Sequence, residues 1–250
     1  MVAVRELKLS RNHGRSKRIL TGAIIMLLFF LIYAILAVCI RLEFGDIWRG
    51  IPAVKTVVFS IEAPDVPWNL TLVNESTPLR EEPEIEFTLL SNGQRVDKRI
   101  YPDLQEMFDD AREQGVYPIV REGYRTHKQQ IETYNDKVAA YMREGYKKKT
   151  AEELAEQWVA VPGSSEHELG LAVDINADKE VSDSDTVYSW LADNAWKYGF
   201  ILRYPRGKEH ITGIDYEPWH YRFVGKEAAE QIYEEGITLE EYLQDYPGIR

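Results

Sequence analysis

Residues 19–40 form a run of 22 positions without a charged side chain. A helix rises 1.5 Å per residue, so this run makes about 33 Å of helix, enough to cross a hydrocarbon core of about 30 Å. It has no polar face along its length, so it does not read as the half-buried helix of a soluble core. The run predicts one membrane span. Before it stand Arg5, Lys8, Arg11, Arg15, Lys17 and Arg18 against Glu6 alone, a net +5; the chain total of −11 leaves −16 for everything after. The positive-inside rule then puts the tail 1–18 in the cytoplasm and the mass of the chain on the far side, with Arg41 able to snorkel to the headgroups. A cleaved signal peptide is the competing reading. Against it, the run exceeds the usual apolar region of about 7 to 15 residues and has no clear small-residue cleavage site. A lipoprotein signal fits Leu36-Ala37-Val38-Cys39 only loosely, because Val38 stands where a small residue is expected.

The charge balance also bears on partners. An acidic domain repels polyanions, and nucleic-acid binding draws most of its affinity from cations that neutralise phosphates, so no nucleic-acid partner is expected. Cys39 is the only cysteine and lies in the apolar run, which excludes an intrachain disulfide framework and any cysteine-built zinc cluster. A metal site would have to come from histidines and carboxylates. Residues 41–67 mix apolar and turn residues without sustained periodicity and read as a spacer, with a short strand over 55–61. One globular unit follows over 68–250.

Within that unit, alternation over 68–74 predicts a strand, followed by a loop over 78–83. Apolar residues at three- and four-residue spacing predict helices over 101–114, 126–145, 150–159, 183–198 and 225–235. Strands are expected over 118–121, 170–175, 200–203 and 219–223. The interleaving lacks the regular beat of βαβ units, and no glycine-rich phosphate loop is present, so the fold class is α+β.

The strongest chemical signal is the stretch from Ser164 to Ile175, SSEHELGLAVDI, in which His167 precedes Asp174 by seven residues across a glycine turn and into an apolar strand. That arrangement can bring both side chains to one point. A neutral imidazole and a carboxylate are both good zinc ligands, and an Asp within an apolar strand is costly if left unpaired. Glu217-Pro218-Trp219-His220 can add a third ligand through His220, with a carboxylate three residues before it. Three ligands leave a fourth position open. Either piece alone is weak; together they suit a hydrolytic zinc site.

These residues resemble the VanY-type D-alanyl-D-alanine carboxypeptidases, zinc peptidases of the Hedgehog/DD-peptidase fold. The family patterns GYRS-x-x-x-Q, S-x-H-x-x-G-x-A-x-D and E-x-W-H stand here as Gly123-Tyr124-Arg125-Thr126 with Gln130, as Ser165 through Asp174, and as Glu217 through His220. The similarity runs over roughly 68–243. It implies an antiparallel sheet flanked by helices, with Zn²⁺ held by His167, Asp174 and His220, Glu217 as general base, and Arg125 at the developing oxyanion. Ser165, Gln130 and Tyr204 become candidates for holding the substrate backbone or its terminal carboxylate. Two positions depart from the pattern: Thr126 replaces Ser, and Glu122 replaces a small residue, which alters the charge beside the pocket.

The apolar run and the charge asymmetry about it lead us to expect a membrane-anchored, single-pass chain with a monomeric catalytic domain outside the membrane; the resemblance implies that this domain removes the terminal D-Ala from peptidoglycan stem peptides. The alternatives are an L,D-carboxypeptidase or other stem-peptide hydrolase of the same fold, and a non-catalytic wall-binding module. His127 and His210 read as surface or supporting residues, and Lys147-Lys148-Lys149 as a solvated loop. Trp190, Trp196, Tyr198 and Phe200 read as core. Glu166 and Glu168 are either exposed or orient a ligand.

Overall fold

A computed structural model describes residues 66–246. The expected membrane span over 19–40 and the strand over 55–61 lie outside the described residues, and among the described residues no helix is long and apolar enough to cross a membrane.

The elements in chain order are β1 (Phe87–Leu89), β2 (Arg95–Asp97), α1 (Tyr101–Glu113), β3 (Pro118–Glu122), α2 (His127–Arg143), α3 (Lys148–Glu156), β4 (Ala172–Ala177), α4 (Ser184–Asn194), β5 (Phe200–Leu202), α5 (Glu209–Thr212), β6 (His220–Phe223), α6 (Lys226–Glu235) and α7 (Leu239–Asp245). Short 3-10 turns cover Trp68–Leu70, Glu166–Leu169 and Ala195–Tyr198. β1 and β2 form a hairpin, and the main sheet has the order β3-β4-β6-β5 with every pair antiparallel. The α+β expectation stands.

The two faces of this sheet have different work. Val173 and Ile175 of β4 and Tyr221 and Phe223 of β6 point into the main core, where they meet Leu104, Met107 and Phe108 of α1 and Val187 and Leu191 of α4. The α1 positions Leu104, Met107, Phe108 and Ala111 recur at three- and four-residue steps and are all buried, each large one contributing roughly 1.5–3 kcal/mol. Alternation then sends Asp174, His220 and Arg222 to the opposite face. A second apolar cluster joins α6 and α7 to Ile201 and Val224, and a third packs α2 on α3 through Val138, Ala151 and Ala155.

The expected strand over 68–74 is corrected. Its first residues form a 3-10 turn behind Pro67, and the carbonyls of Asn69 and Thr71 accept hydrogen bonds from the Arg222 guanidinium instead of a neighbouring strand. The side chain of Asn74 then accepts from the backbone of Ser76 and Thr77, which closes a turn. α3 begins inside the lysine run expected as loop, with Lys148 and Lys149 reaching Glu152 and Glu153 one turn on. The expected helix over 183–198 is α4 continued by a 3-10 turn that ends at Gly199. β1, β2, α5 and α7 have no counterpart among the expected elements.

Candidate active site

Antiparallel pairing of β4 with β6 sets Asp174 directly opposite His220. His167 comes from the 3-10 turn just before β4. Ser165 caps that turn, its Oγ accepting from His167 N at 3.3 Å, and Gly170 ends it in the left-handed region at φ 69°. The chain thereby doubles back, and His167 Nε2 arrives 3.4 Å from Asp174 Oδ1 while His220 Nδ1 lies 3.0 Å from the same oxygen. One ligand atom from each of the three residues falls within 4.8 Å of the others.

The donor set fits a metal ion. A tetrahedral ion with bonds of about 2.0–2.1 Å keeps its ligand atoms about 3.3 Å apart, close to those separations. Asp174 Oδ1 is buried and accepts no hydrogen bond from the protein, a costly state for a carboxylate oxygen unless a cation takes it up. Nδ1 of His167 lies 2.8 Å from the Gly123 carbonyl, which requires a proton on Nδ1 and leaves the Nε2 lone pair facing inward. Gly123 itself is demanded by close approach, since a Cβ there would stand 2.2 Å from the Arg95 carbonyl oxygen.

Behind His220 lies a charged cluster. Glu166 and both arginines it touches are buried: its Oε1 accepts from Arg203 Nε and from Arg222, each at 2.8 Å. Arg203 also forks onto Glu240 at 2.9 and 2.6 Å. The other oxygen of Glu166 has no hydrogen bond and faces His220 Nε2 at 3.7 Å. Burial alone would raise the Glu166 carboxyl, but the two guanidinium charges and His220 hold it well below the usual carboxylate range. Burial likewise disfavours a charged His220, yet its contacts with Asp174 and Glu166 push it up to about 9. Glu168 is buried too, accepting from Gly163 N at 2.9 Å, with His127 Nδ1 3.2 Å from its other oxygen. Both glutamates are therefore internal.

Glu217 opens the short turn into β6, its N–H donating to the Tyr204 carbonyl and its carbonyl accepting from His220 N, each at 3.2 Å. Its carboxyl lies 3.7 Å from His220 Nδ1, and burial pushes it up to about 7. A carboxyl poised there can take a proton and return it near neutral pH.

Arg125 arrives through a bulge. Register between β3 and β4 slips between Val120 and Glu122, so that Glu122 rather than Arg121 stands opposite Asp174. The slip turns Glu122 from the core face to the site face and sends the following residues across it. Arg125 N donates to the His167 carbonyl at 3.1 Å, its guanidinium donates to Gln130 Oε1 at 2.6 Å, and its Nε lies 3.6 Å from Glu122. Glu122 is therefore a partner of Arg125. Gln130, fully buried, also donates to the Ala160 carbonyl at 2.6 Å. Both ends of its amide are used within the protein, so Gln130 aims Arg125 instead of offering a free group to a ligand. Thr126 caps α2 in a reciprocal arrangement with Gln129, so the exchange for Ser leaves the cap intact.

All eight residues expected at the site line one cavity of about 240 Å³. Ser165 and Tyr204 are buried in its wall, Tyr204 with its ring 4.8 Å from that of His220. Lys137 of α2 and Trp158 also line it, and neither was picked out from the sequence. Gln130, Thr133 and Lys137 share one helix face at three- and four-residue spacing, the signal that could have found Lys137. Arg203 and Arg222 carry no local signature, because only the fold brings them to Glu166.

Comparison with known proteins agrees with this geometry. The family model for VanY, D-alanyl-D-alanine carboxypeptidase, matches residues 93–226. A D-alanyl-D-alanine carboxypeptidase of Enterococcus faecalis is 55% identical over 176 residues, 70% of this chain and 66% of that protein. The aligned stretch spans between 58% and 66% of the length of three curated relatives. Among solved structures, a mutant of the vancomycin resistance D,D-pentapeptidase VanY from a VanB-type cassette, in complex with Zn(II), matches at TM-score 0.69 and 55% identity, covering 70% of this chain and 99% of that one. VanYB in complex with D-alanine-D-alanine matches at TM-score 0.70 and 54% identity, covering 71% and 98%.

Proposed function

Because the chain belongs to the VanY family of D-alanyl-D-alanine carboxypeptidases, we propose that it is a zinc carboxypeptidase that removes the terminal D-Ala from peptidoglycan stem peptides. The observation that carries this reading is the buried Glu217 carboxyl beside the His167–Asp174–His220 trio, with Arg125 lining the same cavity. Two solved structures of VanY from the VanB-type cassette support the ligand and substrate, one with Zn(II) and one with D-alanine-D-alanine.

His167, Asp174 and His220 would hold the ion. When bound, zinc supplies Lewis acidity, polarising the scissile carbonyl and making water acidic near neutral pH. Glu217 takes the proton of the attacking water and hands it to the leaving amine as the C–N bond breaks, which its carboxyl near pH 7 suits in both directions. Arg125 donates to the carbonyl oxygen as negative charge builds there, a position held by Gln130 and Glu122. Ser165 and Tyr204 hold the substrate backbone. The domain plan of the proposal is a cytoplasmic tail 1–18, a membrane helix 19–40, a spacer 41–67 and a monomeric catalytic domain 68–250 outside the membrane, where the wall is. The charge asymmetry about the apolar run supports that orientation.

The test is mass spectrometry of muropeptides after incubation with the full-length zinc-loaded chain, with and without chelator. Loss of one alanine from a stem ending in D-Ala-D-Ala, abolished by chelation and restored by Zn²⁺, is the expected result. Cleavage of the tetrapeptide stem alone would move the assignment to an L,D-carboxypeptidase. Zinc bound with no stem cleaved at all would indicate a wall-binding module.

A further inference from the structure

One arginine and one lysine line the cavity, and they differ in how much of their charge is spent. Arg125 is engaged by Glu122 and Gln130. Lys137 enters from α2, two turns beyond Gln130, and forms none of the ion pairs found among the described residues. Its ammonium lies 5.4 Å from the ring centre of Trp158 and 5.5 Å from that of Tyr141. Those rings hold the ammonium without neutralising it. The charges of Lys137 and of Arg125 both reach the Glu217 carboxyl.

That location matters for a carboxypeptidase. Glu217 serves the leaving amine, and in the departing residue one carbon separates that amine from the terminal carboxylate. The carboxylate therefore comes to rest near Glu217, in a chain of net charge −11 and beside a second carboxyl, where it needs a cation that is not already paired. We propose that Lys137 receives the terminal carboxylate of the substrate and so restricts the site to the last residue of a chain. Lys137 is thereby a specificity-determining residue, with Trp158 and Tyr141 as its support. The inference rests on the carboxypeptidase reading and adds to it the group that recognises the free end.

The experiment measures kcat and KM of the full-length zinc-loaded chain on two peptides, one ending in D-Ala-D-Ala and the same peptide with its terminal carboxyl converted to the amide. Wild type, Lys137→Gln and Lys137→Arg are compared. Wild type should favour the free acid. Lys137→Gln should lose about 10- to 100-fold on the free acid, mainly through KM, and far less on the amide, because a charge-assisted hydrogen bond is removed only where a carboxylate is present. Lys137→Arg should restore most of the preference. An equal loss on both peptides would mark Lys137 as structural and overturn the proposal, as would no loss on either, or a wild type that cuts acid and amide equally well. These outcomes leave the hydrolase reading intact. A wild type that cuts neither peptide would overturn the carboxypeptidase reading, and the role of Lys137 with it.

Discussion

Replacing Glu166 by Gln should cost the protein both stability and metal affinity. The buried cluster of Glu166, Glu240, Arg203 and Arg222 is neutral with all four ionised. Glu166→Gln leaves it at +1 and weakens two 2.8 Å hydrogen bonds to guanidinium groups. Arg203 keeps its fork onto Glu240, but Arg222 retains only the carbonyls of Asn69, Thr71 and Phe223. Removing one member of a buried, hydrogen-bonded charge pair costs about 3–5 kcal/mol. At about 2–4 °C per kcal/mol for a domain of this size, the melting temperature should fall by about 6–20 °C. The same carboxylate faces His220 Nε2, so zinc affinity should drop about 10- to 100-fold as the imidazole loses its orienting partner. Thermal melts and competition with a fluorescent chelator read the two effects separately. The pH dependence follows from the depressed Glu166 carboxyl: its stabilisation is complete above the ordinary Glu range and is lost as pH falls through the folded-state value, so the gap between wild type and variant should shrink in acid. A variant that melts within about 2 °C of wild type at neutral pH, with unchanged zinc affinity, would refute the argument that this cluster braces the site.

Three further outcomes are expected. Glu217→Gln should bind zinc stoichiometrically and lose about 10²- to 10⁴-fold in kcat, measured by metal analysis alongside muropeptide turnover. Arg125→Ala should lower kcat about 10²- to 10³-fold with a small change in melting temperature, and near-full turnover would exclude its role at the carbonyl oxygen. Gly123→Ala should destabilise the domain and weaken zinc binding together, since the added Cβ meets the Arg95 carbonyl oxygen at 2.2 Å and must displace the carbonyl that aligns His167; calorimetry with and without zinc would show both.

The sequence by itself determined the ligand trio, because His167, Asp174 and His220 sit in short motifs whose local geometry is nearly self-contained. A capped turn, a left-handed glycine and a strand deliver His167 and Asp174 within eight residues, and Glu217 follows from its place one tight turn before His220. Helix periodicity likewise made α1, α2, α4 and α6 legible. The Asn92-Gly93 turn between β1 and β2 and the Thr238–Glu241 cap of α7 were also written in the sequence, though their elements are too short for periodicity to reveal them. Other features only the tertiary structure decided. Whether Glu122 faces core or site depends on a one-residue slip against β4, which shifts the register without any local mark. Gln130 matched a motif, but only the distances to Arg125 and Ala160 show that its amide is already spent. Glu166 meets arginines 37 and 56 positions away, and Lys137 meets the cavity wall through Trp158. Pairings across such separations arise from how sheet and helices pack, and a motif read along the chain carries no trace of them.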